Sequence, residues 1–277
     1  MNPRKLVYFI FAVFCAYMLF TYVPLGLRAF FYDSFRIPTQ SMQPTLNPGD
    51  KIYVNKLIFG PRLYRDLDSA ISRKPEMYRL PGLRKIKHND IIVFNLPVPY
   101  RWDRIDYLIN HVYCKRVIGL PADSIAAIDG FYKNSNTNDI LGYIPAQEEL
   151  SKIYMDDWGE AKYTFPFDSA FNWTLKNFGP LYIPETGATI LIDTMAVKLY
   201  RLPIEYETQK KLTAINDSVL LGDSVITQYT FTKNYYFAAG DNVLDSSDSR
   251  YWGLLPEEHI VGIVSRIRSK KRSDGGS

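Results

Sequence analysis

An uncharged apolar stretch near the N-terminus, Leu6 to Leu27, constrains this chain more than any other feature. As an α-helix such a stretch is about 33 Å long, which matches the hydrocarbon core of a bilayer. It is longer than the apolar part of a cleavable signal peptide, and no small-x-small motif follows it. We therefore predict a single transmembrane anchor, with the remainder of the chain on one side of the membrane. A buried core helix is the alternative interpretation.

Positive charges flank the predicted anchor on both sides. Arg4 and Lys5 precede it, whereas Arg28 and Arg36 follow it. Lysine and arginine are more frequent on the cytoplasmic side of a membrane segment. Because the two counts are nearly equal, the charge pattern hardly decides which side of the membrane holds the remainder of the chain.

Composition indicates a folded domain and excludes several kinds of site. Hydrophobic residues make up 47% and charged residues 22% of the 277 residues, which is typical of a chain with a real core. The net charge is only +4, and the basic C-terminal run is interpreted as a solvated tail, so no nucleic-acid partner is predicted. Cys15 and Cys114 are not expected to pair, because Cys15 lies in the predicted anchor. The three histidines are far apart and lack metal-ligand spacing, so neither a metal nor a cofactor is predicted.

The chain after the anchor contains many short apolar segments bounded by turn residues, which is typical of β-strands. The predicted strands are Lys51 to Lys56, Asp90 to Phe94, His111 to Ile118, Phe131 to Asn134, Ile190 to Ile192, Asn234 to Ala238 and Ile260 to Ile267. Helical signals are sparse, and short helices are predicted at Gln147 to Met155 and Pro203 to Lys211. The predicted class is therefore mainly β, with a barrel-like or sandwich-like domain after the transmembrane helix.

Five parts of the chain follow from this pattern. They are a short N-terminal tail (1–5), the transmembrane anchor (6–27), a catalytic β domain (28–135 and 231–268), an inserted β-rich cap (136–230) and a flexible tail (269–277). The cap contains no obvious chemistry. Residues able to carry out a reaction are instead concentrated in three segments of the β domain.

The first of these segments surrounds Ser41, a few residues beyond the anchor. Prolines at positions 38, 44 and 48 exclude a long helix and predict an extended, rigid loop. Ser41 is therefore expected to lie close to the membrane surface.

The second segment is a predicted strand that contains Lys115. Strand alternation places Tyr113, Lys115 and Val117 on one face. A lysine between two large apolar neighbours is often only a gatekeeper on an edge strand. The alternative is a buried lysine, whose amine loses its proton more easily because desolvation disfavours the ammonium form.

The third segment, Gly240 to Gly253, is dense in Asp, Ser and Asn. Such a composition normally indicates a surface turn. In this chain the segment also supplies many polar side chains that could orient the functional groups of a site.

Together with the strand at residues 90–94, these segments resemble four conserved motifs of the bacterial type I signal peptidases, in the same order and after the same kind of anchor. The matching residues are Ile37-Pro38-Thr39-Gln40-Ser41-Met42 with Pro44-Thr45-Leu46, Asp90-Ile91-Ile92-Val93-Phe94, Lys115-Arg116-Val117-Ile118-Gly119-Leu120-Pro121 with Asp123, and Gly240-Asp241-Asn242 with Ser246, Asp248-Ser249-Arg250 and Trp252-Gly253.

The resemblance implies a serine endopeptidase that uses a Ser/Lys dyad. Ser41 would be the nucleophile and Lys115 the general base, since a serine hydroxyl needs an adjacent base to become reactive. Ser246 would lie beside the lysine amine and orient it. The backbone N–H of Ser41 and the hydroxyl of Thr39 would form the oxyanion hole.

Other residues of these motifs would support the site or bind the substrate. The resemblance implies a supporting ion-pair network of Asp248, Arg250 and Arg116, with Asp241 in a structural role. The expected lining of the substrate pocket comprises Phe35, Ile37, Met42, Leu46, Tyr113 and Cys114. Such a pocket accepts small side chains and implies cleavage after Ala-x-Ala sequences.

The resemblance also implies partners and a location. The substrates would be signal peptides of exported preproteins, cut next to the lipid bilayer and in proximity to the secretion translocon. The chain would be a single-pass protein of the bacterial inner membrane, with its N-terminus inside and its catalytic domain on the outer face.

Three positions depart from the family pattern. Thr39 stands where many members have serine or glycine, and its methyl group narrows the choice of rotamer. Cys114 replaces an aliphatic residue before the lysine, and Val243 replaces a frequent arginine after Gly-Asp-Asn. These departures affect the pocket and one local ion pair but neither dyad residue.

Three other functions are alternatives for such a chain. A self-cleaving Ser/Lys repressor would need a DNA-binding module, which the sequence lacks. A Ser-His-Asp hydrolase would be expected to show a G-x-S-x-G motif, which is also absent. An inactive anchored binding protein with the same fold remains open, although the presence of both Ser41 and Lys115 argues against it.

Overall fold

A long apolar helix begins the computed structural model, which describes residues 3–99, 101–154, 159, 163–216 and 218–270. Helix α1 spans Pro3–Phe30, so it extends three residues beyond the predicted anchor at each end. Its segment Pro3–Arg28 is long and apolar enough to cross a membrane, and its most apolar window is 0% buried against the rest of the protein. The buried core helix is therefore excluded.

Seventeen strands and four further α-helices follow in the described part of the chain. The strands are β1 (Tyr32–Arg36), β2 (Lys51–Asn55), β3 (Arg62–Tyr64), β4 (Met77–Arg79), β5 (Ile91–Asn95), β6 (Val112–Gly119), β7 (Ser124–Ile128), β8 (Phe131–Asn134), β9 (Phe178–Tyr182), β10 (Thr189–Leu191), β11 (Leu212–Ile215), β12 (Ser218–Leu221), β13 (Ser224–Ile226), β14 (Gln228–Thr230), β15 (Tyr235–Ala239), β16 (Leu255–Pro256) and β17 (Ile260–Arg268). The helices are α2 (Leu67–Ile71), α3 (Ile144–Lys152), α4 (Thr194–Thr208) and α5 (Ser249–Trp252), and a 3₁₀ helix spans Glu257–His259. The mainly β class is confirmed, and each predicted strand is present to within one residue at each end.

The largest sheet has seven antiparallel strands in the order β1-β2-β17-β5-β6-β15-β16. Strand β6 lies in its interior, where Ile92 of β5 is the partner of Lys115 and Ala238 of β15 is the partner of Val117. Strand β6 therefore has neighbours on both sides, and the edge-strand interpretation of Lys115 is wrong. Strand β1, at the sheet edge, leads directly into the segment that contains Ser41.

The region from 136 to 230 is not a separate β-rich unit. It contains helices α3 and α4 besides strands β9 to β14, so its structure is mixed. Strand β9 pairs with β7, which lies before the predicted boundary. One apolar core also joins the two parts: Ile125 and Phe237 belong to the same buried cluster as Val197 and Val219.

The two helices of this region begin earlier than predicted. Helix α4 starts at Thr194, where the Asp193 carboxylate accepts a hydrogen bond of 2.7 Å from the backbone N–H of Ala196. Pro203 is the first residue of the second predicted helix. It lies instead inside α4, on the buried face that includes Tyr200. Helix α3 likewise starts at Ile144, and residue 155 of the predicted helix lies outside the described residues.

A close backbone approach joins the third chemical segment to the Ser41 segment. The backbone N–H of Asn242 donates a 3.2 Å hydrogen bond to the carbonyl oxygen of Ser41. Gly240 makes this contact possible, because a Cβ atom there would lie 2.3 Å from the same carbonyl oxygen and 2.2 Å from Oγ of Ser246. Strand β15 and the Ser41 segment therefore need a residue without a side chain at position 240.

We predict that Gly240→Ala lowers the free energy of unfolding by about 1–3 kcal/mol, since the new methyl group overpacks against a backbone oxygen. The measurement is urea unfolding of the full chain in detergent micelles, followed by tryptophan fluorescence. Gly26→Ala is the control, because its Cβ would meet no atom within 4 Å. Equal stability of the two variants would contradict the steric argument.

Candidate active site

Ser41 lies in a tight turn rather than in the extended loop that its prolines suggested. Two backbone hydrogen bonds close this turn: Gln43 N–H donates to the Gln40 carbonyl at 2.9 Å, and Leu46 N–H donates to the Met42 carbonyl at 2.8 Å. The prolines exclude a long helix but allow a single turn, so the expectation of extended backbone was wrong. We call residues 39–46 the serine turn.

A short hydrogen bond connects the serine turn to strand β6. Lys115 Nζ lies 2.5 Å from Ser41 Oγ, although the two residues are far apart in the sequence. Lys115 is only 2% exposed, whereas Ser41 remains partly open to solvent. The hydroxyl of Thr39 lies 3.3 Å from Ser41 Oγ on the other side. The structure therefore brings together the three polar side chains expected closest to the reaction.

The surroundings of Lys115 favour its neutral form. Burial lowers the pKa of the Lys115 amine from the ordinary lysine value, and this effect outweighs the opposing attraction of the Asp248 carboxylate. The ring of Tyr113 lies on the same side of the strand, with its centre 5.9 Å from Nζ. A neutral amine that contacts a hydroxyl is able to accept its proton.

A fully buried ion pair lies behind the lysine. Arg250 donates to both carboxylate oxygens of Asp248 at 2.8 and 2.7 Å, and both side chains are 0% exposed. Asp248 also accepts a 2.9 Å hydrogen bond from Gly240 N–H, and Arg250 donates to the Val243 carbonyl at 2.8 Å. Burial alone would raise the pKa of the Asp248 carboxyl, but the charge and hydrogen bonds of Arg250 hold it below its usual range.

Arg116 belongs to a different ion pair from the one the family pattern suggested. It donates to both oxygens of the Asp241 carboxylate, at 2.7 and 2.6 Å, and does not join Asp248 and Arg250 in one network. The hydroxyl of Thr45 donates to the same carboxylate at 2.5 Å. These contacts link the serine turn, strand β6 and the segment after β15.

Ser246 lies next to the serine turn but does not bond the lysine. Its hydroxyl is buried and has no hydrogen-bond partner among the residues that the structure describes. The expectation that it orients Lys115 through a direct hydrogen bond is therefore not met in this structure. Its hydroxyl packs closely against Gly240, since a Cβ atom there would lie 2.2 Å from Ser246 Oγ.

A cleft of about 230 Å³ opens beside Ser41 and Lys115. Five of the six predicted pocket residues line it: Phe35, Ile37, Met42, Tyr113 and Cys114. The sixth, Leu46, does not, because it is 0% exposed and packs in the core beneath the serine turn with Ile52 and Val54. Leu46 was expected in the lining from the family resemblance, whereas the serine turn directs its side chain into the core.

Five further residues line this cleft and were not predicted: Arg36, Pro38, Ile52, Val93 and Val112. Strand pairing would have identified two of them. Ile52 is the β2 partner of Phe35, and Val93 is the β5 partner of Cys114. Burial raises the pKa of the Cys114 thiol to about 12, so this cysteine stays protonated and is not a competing nucleophile.

No histidine lies among the residues that line this cleft in the described part of the chain. His259 is buried behind it, where Nδ1 lies 3.0 Å from the Asn95 carbonyl oxygen and burial lowers the pKa of the imidazole to about 4. His88 pairs with Asp123 at 2.7 Å. Ser41 Oγ contacts Lys115 and Thr39, and none of its hydrogen bonds in the described part of the chain involves a histidine. This arrangement disfavours a Ser-His-Asp hydrolase.

The described residues include no group of three His, Cys, Asp or Glu side chains placed to hold a metal ion. The absence of a metal or cofactor requirement stays a prediction, because it was made from the sequence alone.

Comparison with known proteins identifies the family. A signal peptidase I from Buchnera aphidicola subsp. Schizaphis graminum is 27% identical over 256 residues, which cover 87% of this chain and 69% of the relative. A signal peptidase I from Buchnera aphidicola subsp. Acyrthosiphon pisum is 29% identical over 255 residues, with the same coverage of 87% and 69%. A solved signal peptidase I from Enterococcus faecalis covers 66% of this chain and 100% of its own, at 18% identity. Its TM-score of 0.33 is too low to support an argument.

The family model supplies the decisive match. The model described as "Signal peptidase, peptidase S26" matches residues 6–172 and 176–268, which include all four sequence motifs and the apolar helix. The chain therefore belongs to the signal peptidase family, peptidase S26.

Proposed function

We propose that this protein is a membrane-anchored endopeptidase that removes signal peptides from exported preproteins, with Ser41 as nucleophile and Lys115 as general base. The observation that carries the proposal is the 2.5 Å contact between Lys115 Nζ and Ser41 Oγ at the floor of an open cleft. Membership of a serine peptidase family supports the reaction class. The buried amine of Lys115 contacts the partly exposed hydroxyl of Ser41, which supports Lys115 as the base and Ser41 as the nucleophile.

The reaction begins when Ser41 Oγ attacks the carbonyl carbon of the scissile peptide bond and Lys115 Nζ accepts the hydroxyl proton. Negative charge develops on the carbonyl oxygen, where Ser41 N–H and the Thr39 hydroxyl stabilise it. One such donor is typically worth about 3 kcal/mol of barrier. Lys115 then gives its proton to the leaving amine, which departs and leaves an acyl-enzyme. A water molecule, deprotonated by Lys115, hydrolyses the ester and restores Ser41.

The shape of the cleft supports specificity for small side chains. Its volume is about 230 Å³, and Ile37 and Met42 in its wall are 6% and 1% exposed, so the wall is firmly packed. A binding cavity of this size lies below the typical range for drug-sized ligands, about 300–1,000 Å³. Together with the family resemblance, a cleft of this size supports cleavage after small residues of the Ala-x-Ala type.

Helix α1 supports a location at the membrane. Strand β1 begins at Tyr32, directly after α1 ends at Phe30, so the cleft cannot be far from the end of the apolar helix. Lys56 Nζ donates to the carbonyl oxygen of Arg28 at 2.7 Å, which ties the last turn of α1 to the end of β2. We place the catalytic domain on the outer face of the bacterial inner membrane, close to the translocon that delivers the substrates.

Ser41→Ala and Lys115→Ala are each expected to retain the fold but to abolish cleavage of a preprotein whose signal peptide ends in Ala-x-Ala. Lys115→Arg is expected to fail as well, since a guanidinium does not become neutral. The measurement is the mass of the products after incubation of the detergent-solubilised full chain with the precursor. Lys133→Ala, at an exposed position on β8, is the control and is expected to cleave normally. Near wild-type cleavage by either Ser41→Ala or Lys115→Ala would show that the dyad is wrong.

The activity is expected to rise with pH through a single deprotonation. Burial lowers the pKa of Lys115, so the neutral amine becomes populated at a lower pH than an ordinary lysine would allow. The acid limb of kcat/KM against pH reports this step in the free enzyme. The midpoint of this limb is expected below about 10.4, the ordinary lysine pKa. A midpoint at about 10.4 would contradict the burial argument. A limb at about 6.5 would instead point to a histidine base.

A further inference from the structure

A small polar pocket lies apart from the catalytic cleft, beside the hairpin that strands β3 and β4 form. Its volume is about 240 Å³, and no described residue lines both this pocket and the catalytic cleft. The hairpin contributes Arg62, Met77 and Arg79 to its lining, and residues 232–234 and 257–258 complete most of it. We call this space the hairpin pocket.

Two arginines lie directly opposite each other on this hairpin. Arg62 of β3 and Arg79 of β4 are partners in the antiparallel register of a sheet with two strands. Directly opposite side chains lie close together on one face of a ladder, and like charges there are destabilising. A two-stranded ladder is only marginally stable by itself. The hairpin therefore carries a charge repulsion that a bound anion would relieve.

Neutral acceptors hold both guanidinium groups, and neither arginine forms an ion pair within the described part of the chain. Arg62 donates from Nη1 to the Asn95 amide oxygen at 2.9 Å and to two backbone carbonyl oxygens at 3.1 and 3.2 Å. Arg79 donates to three backbone carbonyl oxygens at 2.8, 3.0 and 2.7 Å. These hydrogen bonds fix the positions of the guanidinium groups but leave their positive charges without a counterion.

Two carboxylates line the pocket, but both accept hydrogen bonds from other groups. Glu258 accepts from Lys233 Nζ at 2.8 Å and from the Tyr206 hydroxyl at 2.6 Å. Glu257 accepts from the Asn234 amide at 2.9 Å. The described lining therefore has three cationic side chains and two carboxylates, which leaves one positive charge in excess. Because Lys233 and Glu258 neutralise each other, this excess lies at the arginine pair.

The arginine pair also keeps unused hydrogen-bond donors. In the described part of the chain, every hydrogen bond of Arg62 comes from Nη1, and those of Arg79 come from Nη1 and Nη2. The Nε groups of both arginines therefore remain to donate to a ligand. Burial, followed by repulsion from Arg62, lowers the pKa of the Arg79 guanidinium to about 10. A ligand that brings negative charge would stabilise both cations.

We propose that the hairpin pocket binds one phosphate group between the guanidinium groups of Arg62 and Arg79. Guanidinium groups bind phosphate oxygens through charge-assisted, often paired N–H donors. Two guanidinium groups approach from two strands, and a tetrahedral phosphate accepts from several directions, whereas the oxygens of a carboxylate lie in one plane. A singly charged phosphate would offset the excess positive charge of the pocket and screen the repulsion across the hairpin. Such a site is independent of the reaction at Ser41.

Free phosphate and the headgroup of a phospholipid both carry this chemical group. Arg62 also lines a second cleft, of about 770 Å³, which includes Phe30, the last residue of α1. The arginine pair therefore borders a space that reaches the end of the apolar helix. Separate arms of the test distinguish the two sources of phosphate.

The first arm introduces a carboxylate into the pocket from the chain itself. Met77 is partly buried, lines the pocket and lies two residues before Arg79, so both side chains leave the same face of β4. Met77→Glu places a negative charge beside the arginines, and Met77→Gln is the matched control of the same length without charge. The measurement is calorimetric titration of inorganic phosphate into the full chain in uncharged detergent, at constant ionic strength.

The wild type and Met77→Gln are expected to bind phosphate with the same saturable affinity. Met77→Glu is expected to bind at least about tenfold more weakly, the effect of losing one hydrogen bond between charged groups. Without phosphate, Met77→Glu is expected to unfold at a higher temperature than Met77→Gln, because its carboxylate relieves the repulsion between the arginines. Arg62→Gln, which keeps an amide donor but lacks the charge, is expected to lose phosphate affinity to a similar extent.

The second arm compares unfolding temperatures in nanodiscs of phosphatidylglycerol and in nanodiscs of a phosphate-free glycolipid. A higher temperature in phosphatidylglycerol that Met77→Gln retains and Met77→Glu loses would identify a lipid headgroup as the source. Saturable binding of inorganic phosphate with the same dependence on position 77 would identify free phosphate. Equal behaviour of Met77→Glu and Met77→Gln in both arms, or no effect of phosphate on the wild type in either, would overturn the proposal.

Discussion

The hydrogen bond between Lys115 and Ser41 sets the requirement that the rest of the site meets. The contact is useful for catalysis only if the amine is neutral, because an ammonium ion cannot take the hydroxyl proton. The fold achieves this by placing Lys115 on an interior strand at 2% exposure, where desolvation disfavours the charged form. At the same time, the serine turn stays open to the cleft, so a substrate reaches the hydroxyl without exposing the lysine.

The nearby charges are arranged so that they do not restore the proton to the lysine. Asp248 is the largest influence that raises the pKa of Lys115, and its carboxylate is paired at two oxygens with Arg250. Asp241 is paired in the same way with Arg116. Removing one partner of a fully buried ion pair would leave an uncompensated charge beside the Lys115 amine, and such a charge strongly destabilises a protein. These pairs therefore serve both the fold and the electrostatics of the proposed dyad.

Five of the seven strands of the largest sheet could be predicted from the sequence, because alternation and turn residues are local signals. The closeness of Ser41 and Lys115 could be predicted as well, because the family resemblance pairs them. Other contacts between distant segments could not. Arg116 and Asp241 are 125 positions apart, and the pairing of β6 with β15 brings them together. Leu46 was misplaced because turn geometry, which decides its direction, has no period. The start of α4 was missed because Pro203, a common first-turn residue, lies within the helix.

The ionisation state of Lys115 is the central claim, and its amine is directly observable. With ¹³C-labelled lysine in the full chain, the Cε chemical shift of each lysine is followed by NMR against pH in detergent micelles. The account predicts one lysine that titrates below the ordinary value of about 10.4 and whose signal is absent from Lys115→Arg. If the signal lost in Lys115→Arg titrates with the other lysines near that value, Lys115 is charged at neutral pH and the account is contradicted.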